Sequence, residues 1–352
     1  MDPITLLEQL IKIESDSEIA RIQDFILDQL SDADLDSTGC IIARKEGDEP
    51  GPSLLLNTHM DVVSPHLEFE RDGGRIKGRG AADAKGSLAA MMSAFSAVEP
   101  TAGSVELVIS PDEETTQQGL YNYLSEGIDI DFAIVGEPTG LDVCPAARGH
   151  YDLLVTLTGE SAHGATPESG VNATRCAAAA IARIERLPQL TDDLLGTNSF
   201  TPTIIRGGNR PNQVPDHAEF VVDYRTVPAE SREEAISTIE QALDGIRCEY
   251  TVDLYENGSS LAAFKTDSSD PFVASFQSHT EAETGFTPAI KPFDAATEAA
   301  FFAPYAPVVV FGPGRISDGD QPIAHSAREF VPVADVENAA HVLTEYLTTQ
   351  LD

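Results

Sequence analysis

The stretch Ser53 to Asp61 reads SLLLNTHMD, an apolar run that passes directly into side chains of the kinds that bind metals. A short, unbroken apolar run is typical of a strand buried on both faces of a sheet. The same pattern returns twice, in Val105 to Glu114 (VELVISPDEE) and in Phe132 to Pro138 (FAIVGEP). Each predicted strand therefore ends where imidazole or carboxylate side chains begin.

Helical patterns fill the intervals around these strands. Two amphipathic helices are predicted within residues 6–30, and Gly86 to Val98 (GSLAAMMSAFSAV) is helical between the first two strands. Farther along, Pro271 to Thr284 and Val333 to Leu347 are predicted as helices and Val308 to Phe311 (VVVF) as a central strand. This alternation favours an α/β fold with a central mixed sheet flanked by helices, whose ligands gather at the carboxyl ends of the strands.

From about Asp152 the pattern becomes that of a compact α+β insert. Helices and short strands alternate there over about 100 residues. The predicted elements are strands near Leu153 to Thr158, Thr203 to Arg206, Glu219 to Tyr224 and Cys248 to Leu254, with helices at Val171 to Arg186 and Arg232 to Leu243.

The domain organisation follows from that insert. A chain of 352 residues is long enough for two domains, each with a core of its own. We expect a discontinuous catalytic domain of residues 1–151 and 258–352, with an inserted domain of residues 152–257. Asn257 to Asp270, rich in Gly, Ser and Asp, is predicted as the return linker.

The charge balance is strongly acidic. Asp and Glu number 58 against 22 Lys and Arg, a net charge of −36, so nucleic acid and anionic membranes are not expected as partners. We interpret the charge as a solvated surface suited to a salt-rich cytoplasm. At about 1 M salt the Debye length is only about 3 Å, which removes most of the self-repulsion.

The cysteines and the N-terminus bear on the compartment. The four cysteines lie far apart without a CxxC spacing, so neither a disulfide framework nor a thiolate zinc site is expected, and they are interpreted as buried apolar residues. The N-terminus lacks the basic and apolar regions of a signal peptide, and no run approaches the ~20 apolar residues of a membrane span. We expect a cytoplasmic protein.

Five side chains supply imidazole and carboxylate donors, the set that suits zinc or cobalt. They are His59, Asp83, Glu114, Glu137 and His325. Taken singly, each has a structural interpretation: His59 as a core histidine, Glu114 with Glu113 as a solvated acidic pair, and His325 as a loop residue. Together, with Asp83 bridging, they would hold two cations at roughly 3.5 to 4 Å from one another.

Two further carboxylates have predicted roles beside the ligands. Asp61 lies on the same face of an extended segment as His59, where it would accept the other ring N–H of that histidine. If the segment is extended, Glu113 points away from Glu114, so one glutamate would bind metal while the other takes the proton of the attacking water.

The order of these motifs resembles the dinuclear zinc aminoacylase and carboxypeptidase family. The motifs are His59-Met-Asp61, Gly78 to Gly86 (GRGAADAKG), Asp112 to Thr115 (DEET), Gly136 to Thr139 (GEPT) and the late His325. The resemblance implies two Zn²⁺ ions, or Co²⁺, bridged by Asp83. It implies His59 and Glu137 at one ion, Glu114 and His325 at the other, and Glu113 as the general base.

The resemblance also assigns a role to the insert. It would be the lid domain, which usually pairs two subunits into a homodimer through an edge strand and a helix. Gly159 to Gly164 (GESAHG) is similar to the lid motif whose histidine, here His163, reaches the active site of the partner subunit and stabilises the oxyanion.

Within the family, the motifs are most similar to acetylornithine deacetylases and succinyl-diaminopimelate desuccinylases. The turn after His325 departs from the acetylornithine enzymes, because they usually carry a Gln-Pro-Asp-Glu-like turn and this chain has SARE at residues 326–329. Planar arginine suits capture of a substrate carboxylate. The substrate-binding candidates are Arg148 and Arg225, with Asn212 and Thr297 as polar neighbours. Each has a structural alternative, and Arg225 could simply pair with Asp223.

Several functions stay open. Acetylornithine deacetylation, a step of arginine biosynthesis, is the leading hypothesis. Desuccinylation of a diaminopimelate precursor in lysine biosynthesis, or release of ornithine or lysine from a carrier protein, comes second, and dipeptidase or aminoacylase activity third. A non-catalytic, metal-bound binding protein is the alternative from another class. Glu113 argues against it, because ligation alone requires no base.

Overall fold

A computed structural model describes residues 1–228, 230–256, 258 and 260–352, and Glu126 by its backbone only. The chain divides into two compact units, one of residues 1–147 and 265–352 and the other of residues 148–264. The second unit begins before the predicted position 152 and ends after the predicted position 257. Asn257 and Ser259 of the predicted linker lie outside the described residues.

The helices match the sequence patterns closely. The amphipathic segments form α1 and α2, and α6 and α7 have the predicted bounds. The helices are α1 (Pro3–Ile11), α2 (Ala20–Gln29), α3 (Lys85–Ala97), α4 (Gln118–Tyr123), α5 (Ala173–Ile184), α6 (Arg232–Leu243), α7 (Pro271–Thr284), α8 (Ala299–Phe302) and α9 (Val333–Leu351). Within the described residues, no helix is both long and apolar enough to cross a membrane.

The strands are more numerous than the sequence indicates, and most of the predicted ones extend beyond their predicted bounds. In the first part of the chain they are β1 (Ala33–Leu35), β2 (Ile41–Glu46), β3 (Glu49–His59), β4 (Glu70–Asp72), β5 (Arg75–Lys77), β6 (Ala102–Ser110), β7 (Phe132–Val135), β8 (Ala146–Ala147), β9 (Gly149–Thr158), β10 (Ala162–His163) and β11 (Thr191–Asp192). The remainder are β12 (Gly196–Thr197), β13 (Ser199–Gly207), β14 (Gln213–Val214), β15 (His217–Thr226), β16 (Glu249–Leu254), β17 (Ser260–Leu261), β18 (Phe264–Lys265), β19 (Val308–Val310), β20 (Ser317–Asp318), β21 (Gln321–Pro322) and β22 (Phe330–Pro332).

The first unit is built on a mixed sheet with the strand order β1-β2-β6-β3-β7-β19. The pairs β6–β3, β3–β7 and β7–β19 are parallel, whereas β1–β2 and β2–β6 are antiparallel. In the register, His59 lies opposite Ser110, and Asn57 lies opposite Val135. The three predicted strands therefore end at one level, and the polar segments after them share one edge of the sheet.

The helices bury the apolar faces of that sheet. Residues of α3 from Lys85 to Phe95 are buried, which explains why the segment is apolar on all sides. The α1 helix begins with Asp2, whose carboxylate accepts the N–H of Thr5 at 2.7 Å, and with a proline in its first turn. Lys85 is buried and donates to the carbonyls of Leu10 and Ile13 at 3.1 and 2.8 Å.

The prediction of β19 as a central strand was wrong, because β19 ends the strand order of the sheet. Its residues are nevertheless fully buried. Its outer edge is covered by irregular chain: Val310 exchanges two backbone hydrogen bonds with Cys144, at 2.8 and 3.0 Å, and Val308 donates to the hydroxyl of Thr266 at 2.9 Å. Because its outer edge is covered, this edge strand is as apolar in sequence as a central strand.

The second unit is an antiparallel sheet with the order β13-β15-β9-β16, packed against α5 and α6. The α6 helix begins with a capping box between Ser231 and Glu234. The expectation that the cysteines form no disulfide was wrong, since Cys176 on α5 is bonded to Cys248 at the start of β16. The two cysteines are 72 residues apart, so only the tertiary fold brings them together. Cys40 and Cys144 are free and buried, as predicted.

Candidate active site

The five predicted metal ligands converge in the first unit. His59, Asp83 and Glu137 form one group and Asp83, Glu114 and His325 another, and in each group the potential ligand atoms lie within 4.8 Å of one another. Asp83 uses a different oxygen toward each histidine: Oδ1 lies 3.3 Å from Nε2 of His59, and Oδ2 lies 3.2 Å from Nε2 of His325. We call these five residues the dinuclear group.

The fold explains how distant residues meet. His59 ends β3, Glu114 follows β6 and Glu137 follows β7, three parallel neighbours. Asp83 precedes α3, with a cis peptide bond to Ala84. His325 has a left-handed backbone, with φ of 57°, and its side chain is 52% exposed, whereas that of His59 is 1% exposed. One ligand therefore lies in the core and the other at the rim.

Asp61 contacts the ring nitrogen of His59 that the sequence indicated, and it has further contacts. Its backbone oxygen accepts from Nδ1 of His59 at 3.0 Å, while its carboxylate lies 3.4 Å from that nitrogen. The carboxylate also accepts the backbone N–H groups of Glu113 and Glu114, at 3.1 and 3.0 Å. The segment at Glu113 and Glu114 is a turn and not extended, which exposes these two amides to Asp61. Asp61 therefore positions the histidine and both glutamates.

The site carries more negative charge than its histidines neutralise. Burial raises the pKa of Glu137 well above its usual range, and the carboxylate of Asp83 raises it further. Burial also raises the pKa of Glu114, although the bond to His325 acts in the opposite direction. The pKa of Asp83 is lowered, because the two histidines outweigh its burial. Crowded, buried carboxylates of this kind require cations.

The histidines respond to the same field. Contacts with Asp83 and Glu114 raise the pKa of His325 to about 10. Burial lowers the pKa of His59, yet the contacts with Asp61 and Asp83 outweigh it and raise the pKa well above its usual range. Two nitrogen and three carboxylate donors, one of them shared, fit two divalent cations of the zinc type, which would take the place of those protons.

Glu113 lies beside the dinuclear group without belonging to either trio of ligand atoms among the described residues. Burial raises the pKa of Glu113 well above its usual range, opposed by His59 and supported by Glu137 and Glu114. A carboxylate that does not ligate but shares the electrostatic environment of the ligands has the chemistry of a general base.

A buried ion pair that the sequence interpretation missed connects two of the ligand segments. Arg79 and Glu329 are 2% and 1% exposed and lie 2.5 Å apart, Nη1 to Oε2. The other oxygen of Glu329 accepts the backbone N–H of Asp83 at 3.3 Å, and Nη1 of Arg79 donates to the carbonyl of Ser326 at 3.3 Å. The pair thus joins the segment of Asp83 to that of His325. Arg79 lies within the quoted GRG motif and Glu329 ends the SARE turn, so both were visible as motif residues.

Thr297 has a role other than the predicted substrate contact. It is 1% exposed, and its hydroxyl donates to Oε1 of Glu137 at 3.1 Å, so it holds a ligand. Its neighbour Glu298, which the sequence analysis did not select, is equally buried and accepts from the Ser110 hydroxyl at 2.5 Å. Burial raises the pKa of Glu298 to about 7, although Ser110 lowers it.

The remaining predicted residues belong to the second unit. His163 is exposed on β10, and its Nδ1 accepts the backbone N–H of Ala165 at 3.1 Å. Asn212 precedes β14, which pairs with β10, and its carbonyl accepts from Gly164 at 2.8 Å. The fold therefore brings His163 and Asn212 to the same two-stranded sheet, although they are far apart in the sequence.

The two arginines proposed for the substrate carboxylate already have protein partners. Arg148 donates from Nε and Nη2 to the carbonyl of Leu195, at 2.8 and 2.6 Å. Arg225 binds Asp223 through two nitrogens, at 2.8 and 3.0 Å. For Arg225 the structural alternative, pairing with Asp223, is the one present. For Arg148, capture of a carboxylate requires the other edge of the guanidinium, on the Nη1 side.

Related proteins extend along nearly the whole chain. An acetylornithine deacetylase of Myxococcus xanthus is 30% identical, over 89% of this chain and 84% of its own length. A LysW-lysine/LysW-ornithine hydrolase of Pyrobaculum aerophilum is 28% identical over 97% of this chain and 96% of its own. A metallohydrolase of Methanocaldococcus jannaschii is 29% identical over 96% and 95%.

Solved structures share the fold. Aminopeptidase PepT of Bacillus cereus superposes with a TM-score of 0.81 at 20% identity, over 99% of this chain and 98% of its own. The YXEP protein of Bacillus subtilis, a dinuclear metal-binding peptidase, superposes with a TM-score of 0.73 at 14% identity, over 99% and 97%. The model of peptidase family M20/M25/M40 matches residues 55–349. The chain therefore belongs to this family and is a metal-dependent hydrolase.

Proposed function

We propose that the protein hydrolyses the amide of an N-acyl amino acid and that acetylornithine is its substrate. The observation that carries the proposal is the dinuclear group with Glu113 beside it, because a base next to a complete ligand set serves hydrolysis and not storage. The acetylornithine deacetylase of Myxococcus xanthus, at 30% identity, supports the choice of substrate.

In the proposed mechanism, residues of the chain hold the metal ions, orient the ligands and transfer a proton. When bound, two Zn²⁺ or Co²⁺ ions would polarise the amide carbonyl and acidify water. Glu113 takes the proton from the attacking water on a side-chain oxygen and returns it to the nitrogen of the leaving amine. Asp61 fixes the turn that carries Glu113, and Thr297 and the Arg79–Glu329 pair fix the ligands.

We propose that the second unit acts as a lid domain. We infer that His163 donates a hydrogen bond to the developing oxyanion and that it acts on the partner subunit of a homodimer. The sheet of the second unit has β13 at its edge, which is the kind of element through which such dimers form. Asn212, beside the strand that pairs with β10, is the polar neighbour with the greatest access to substrate, since its side chain is exposed.

A second candidate is release of lysine or ornithine from a carrier protein. One observation favours it. The match to the Pyrobaculum relative covers 97% of this chain and 96% of that protein, whereas the match to the Myxococcus deacetylase covers only 84% of that protein. Desuccinylation and dipeptide hydrolysis share the same site chemistry and have less support.

The test is an assay of the zinc-loaded and the cobalt-loaded protein in molar KCl. Acetylornithine, succinyl-diaminopimelate, acetylated amino acids, dipeptides and a carrier-linked ornithine would be compared by kcat/KM. We expect acetylornithine to exceed the others by at least tenfold. Preference for the carrier-linked substrate would replace the first proposal by the second, and hydrolysis of none would favour a binding protein.

We further propose that the enzyme works in a salt-rich cytoplasm. The net charge of −36 produces a self-repulsion that salt screens. The melting temperature is therefore expected to rise by several degrees between dilute buffer and molar KCl, since about 1 kcal/mol corresponds to roughly 2 to 4 °C in a domain of 150 to 250 residues. A melting temperature that stays constant or falls with KCl would contradict this proposal.

A further inference from the structure

A basic cavity lies in the second unit, between one face of α5 and the turn that joins α6 to β16. Its volume is about 310 Å³, and three of its lining residues are Arg175, Arg183 and Arg247. Among the described residues that line it, there is no aspartate or glutamate. A chain with 58 acidic and 22 basic residues has thus gathered three of its arginines around one concave surface.

Another cavity of the second unit shows an arginine environment of the ordinary kind, in which acidic side chains accompany the arginines. That cavity, of about 250 Å³, is lined by Arg206 and Arg210, but also by Asp216 and Glu219. Arg206 binds Glu219 at 2.9 Å, so its charge is already compensated. In the described part of the chain, Arg175 and Arg247 have no such acidic partner. The two cavities differ in charge, although both contain arginine.

The walls of the basic cavity are held in place. Arg175 and Arg183 are eight residues apart on α5, so they project from the same face of the helix, with Ala179 between them. Arg183 is fixed by the carbonyls of Ala242 and Asp244, at 3.3 and 2.7 Å. The disulfide joins α5 to the residue that follows Arg247. The guanidinium groups are therefore presented by a covalently linked pair of elements.

We infer that this cavity binds a small oxyanion of two or more negative charges. Guanidinium groups offer paired N–H donors that match phosphate and carboxylate oxygens, and three of them around one cavity favour a multivalent anion over chloride. The volume is at the lower limit of small-ligand sites, which suits phosphate or a tricarboxylate. This inference is independent of the proposed substrate, because all of the residues that carry it belong to the second unit.

The test is titration of the full-length, metal-loaded protein with inorganic phosphate and, separately, with citrate, followed by calorimetry at constant ionic strength in KCl. We expect saturable binding of at least one of the two, weakened at least tenfold in the double variant Arg175→Gln/Arg247→Gln. Arg21→Gln, a change of an exposed arginine on α2, is the matched control and should bind as the unaltered protein does. Whichever of the two binds more tightly shows whether the cavity favours a phosphate or a polycarboxylate.

Ala179→Glu provides a second variant, because it places a carboxylate on the exposed helix face between the two arginines and should abolish binding without removing any side chain. Non-saturable heats, or equal affinity in the double variant and the control, would overturn the inference. Phosphate and citrate also coordinate zinc, so only the binding component that the double variant loses and Arg21→Gln keeps is assigned to the cavity. The substrate assay can fail while this component is present, and the reverse.

Discussion

Each of the two units contains a cluster of histidine and carboxylate side chains, and the two clusters differ in how their charge is balanced. In the second unit, His150, Asp152 and Asp223 also have ligand atoms within 4.8 Å of one another. There Asp223 is bound by Arg225 through two hydrogen bonds, and Nε2 of His150 lies 3.3 Å from the same carboxylate. We call these four residues the sheet cluster.

In the dinuclear group no lysine or arginine of the described chain pairs with Asp83, Glu114 or Glu137. Their charged neighbours are histidines and other carboxylates, and burial, together with the nearby Asp83, raises the pKa values of Glu114 and Glu137. In the sheet cluster a positive group lies next but one to a negative group along each strand, His150 and Asp152 on β9 and Asp223 and Arg225 on β15. Asp223 therefore has both Arg225 and His150 as positive neighbours, at 2.8 and 3.3 Å. A cluster of histidines and carboxylates alone therefore does not indicate a metal site. A cluster whose negative charge has no arginine or lysine partner does.

The largest effect is expected from removal of the bridging carboxylate. Asp83→Asn should lose both metals and all measurable turnover, because each group of ligands depends on that side chain. Asp223→Asn should keep about two metal ions per chain. Metal analysis of both variants after gel filtration checks the comparison. Loss of metal from Asp223→Asn would show that the sheet cluster is a metal site as well.

The next effect separates catalysis from metal binding. Glu113→Gln is expected to keep both metals and to lower kcat by about 10² to 10⁴, the usual contribution of a general base. His163→Ala should show the same combination, with loss of kcat and retention of metal. Glu337→Gln, a change of an exposed glutamate on α9, is the control. Metal content and kcat are measured on the same samples. Unchanged turnover in Glu113→Gln would contradict the assignment of Glu113 as the general base.

A third prediction compares two arginine–glutamate pairs. Arg79→Met leaves Glu329 buried without its cationic partner and is expected to lower the free energy of unfolding by about 3 to 5 kcal/mol. Arg206→Met breaks the exposed pair with Glu219 and should cause no measurable change. Denaturant unfolding measures both. Recovery in the double variant Arg79→Met/Glu329→Leu would confirm that the uncompensated charge is the cause, and equal stability of the two single variants would contradict it.

The smallest effect concerns pH and the sheet cluster. Burial lowers the pKa of His150, but Asp152 and Asp223 outweigh it and raise the pKa in the folded state. The stabilisation by the charged histidine is therefore complete below a pH of about 6.5 and is lost as the pH rises through the folded-state pKa. His150→Gln should lower the free energy of unfolding by about 1 kcal/mol at pH 6 and less at pH 9.

Asp223, in the same cluster, changes the stability with pH in the opposite direction. His150 and Arg225 lower the pKa of Asp223 despite its burial, so its contribution is present above a pH of about 3.9 and is lost as the pH falls through the lowered value. A difference between the unaltered protein and His150→Gln that grows from pH 6 to pH 9 would contradict the charge balance described for the sheet cluster.

Much of the fold could be predicted because its signals are local. Phe132–Val135 and Arg232–Leu243 were predicted residue for residue, since strand composition and helical spacing are properties of adjacent residues. The convergence of His59, Glu114 and Glu137 followed from strands that end in polar residues. By contrast, the edge position of Val308–Val310 depends on Cys144 and Thr266, which are distant in the sequence.

The supporting contacts of the site could not be predicted, because they depend on tertiary geometry. Asp61 reaches the ring of His59 as its spacing indicated, but no sequence signal announced that the turn at Glu113 presents two amides to its carboxylate. Thr297 was selected for its polarity, but burial gives it Glu137 as its partner. Glu298 has no sequence signal that distinguishes it from a surface glutamate.

The disulfide in the second unit has a consequence for handling the protein. Closing a loop of 72 residues restricts the unfolded chain by roughly 4 kcal/mol in the chain-entropy account. A chain made in a reducing cell acquires that constraint only after its thiols meet an oxidant. A preparation that contains both the reduced and the oxidised form is then a mixture of two stabilities, and a single pure polypeptide would melt in two steps.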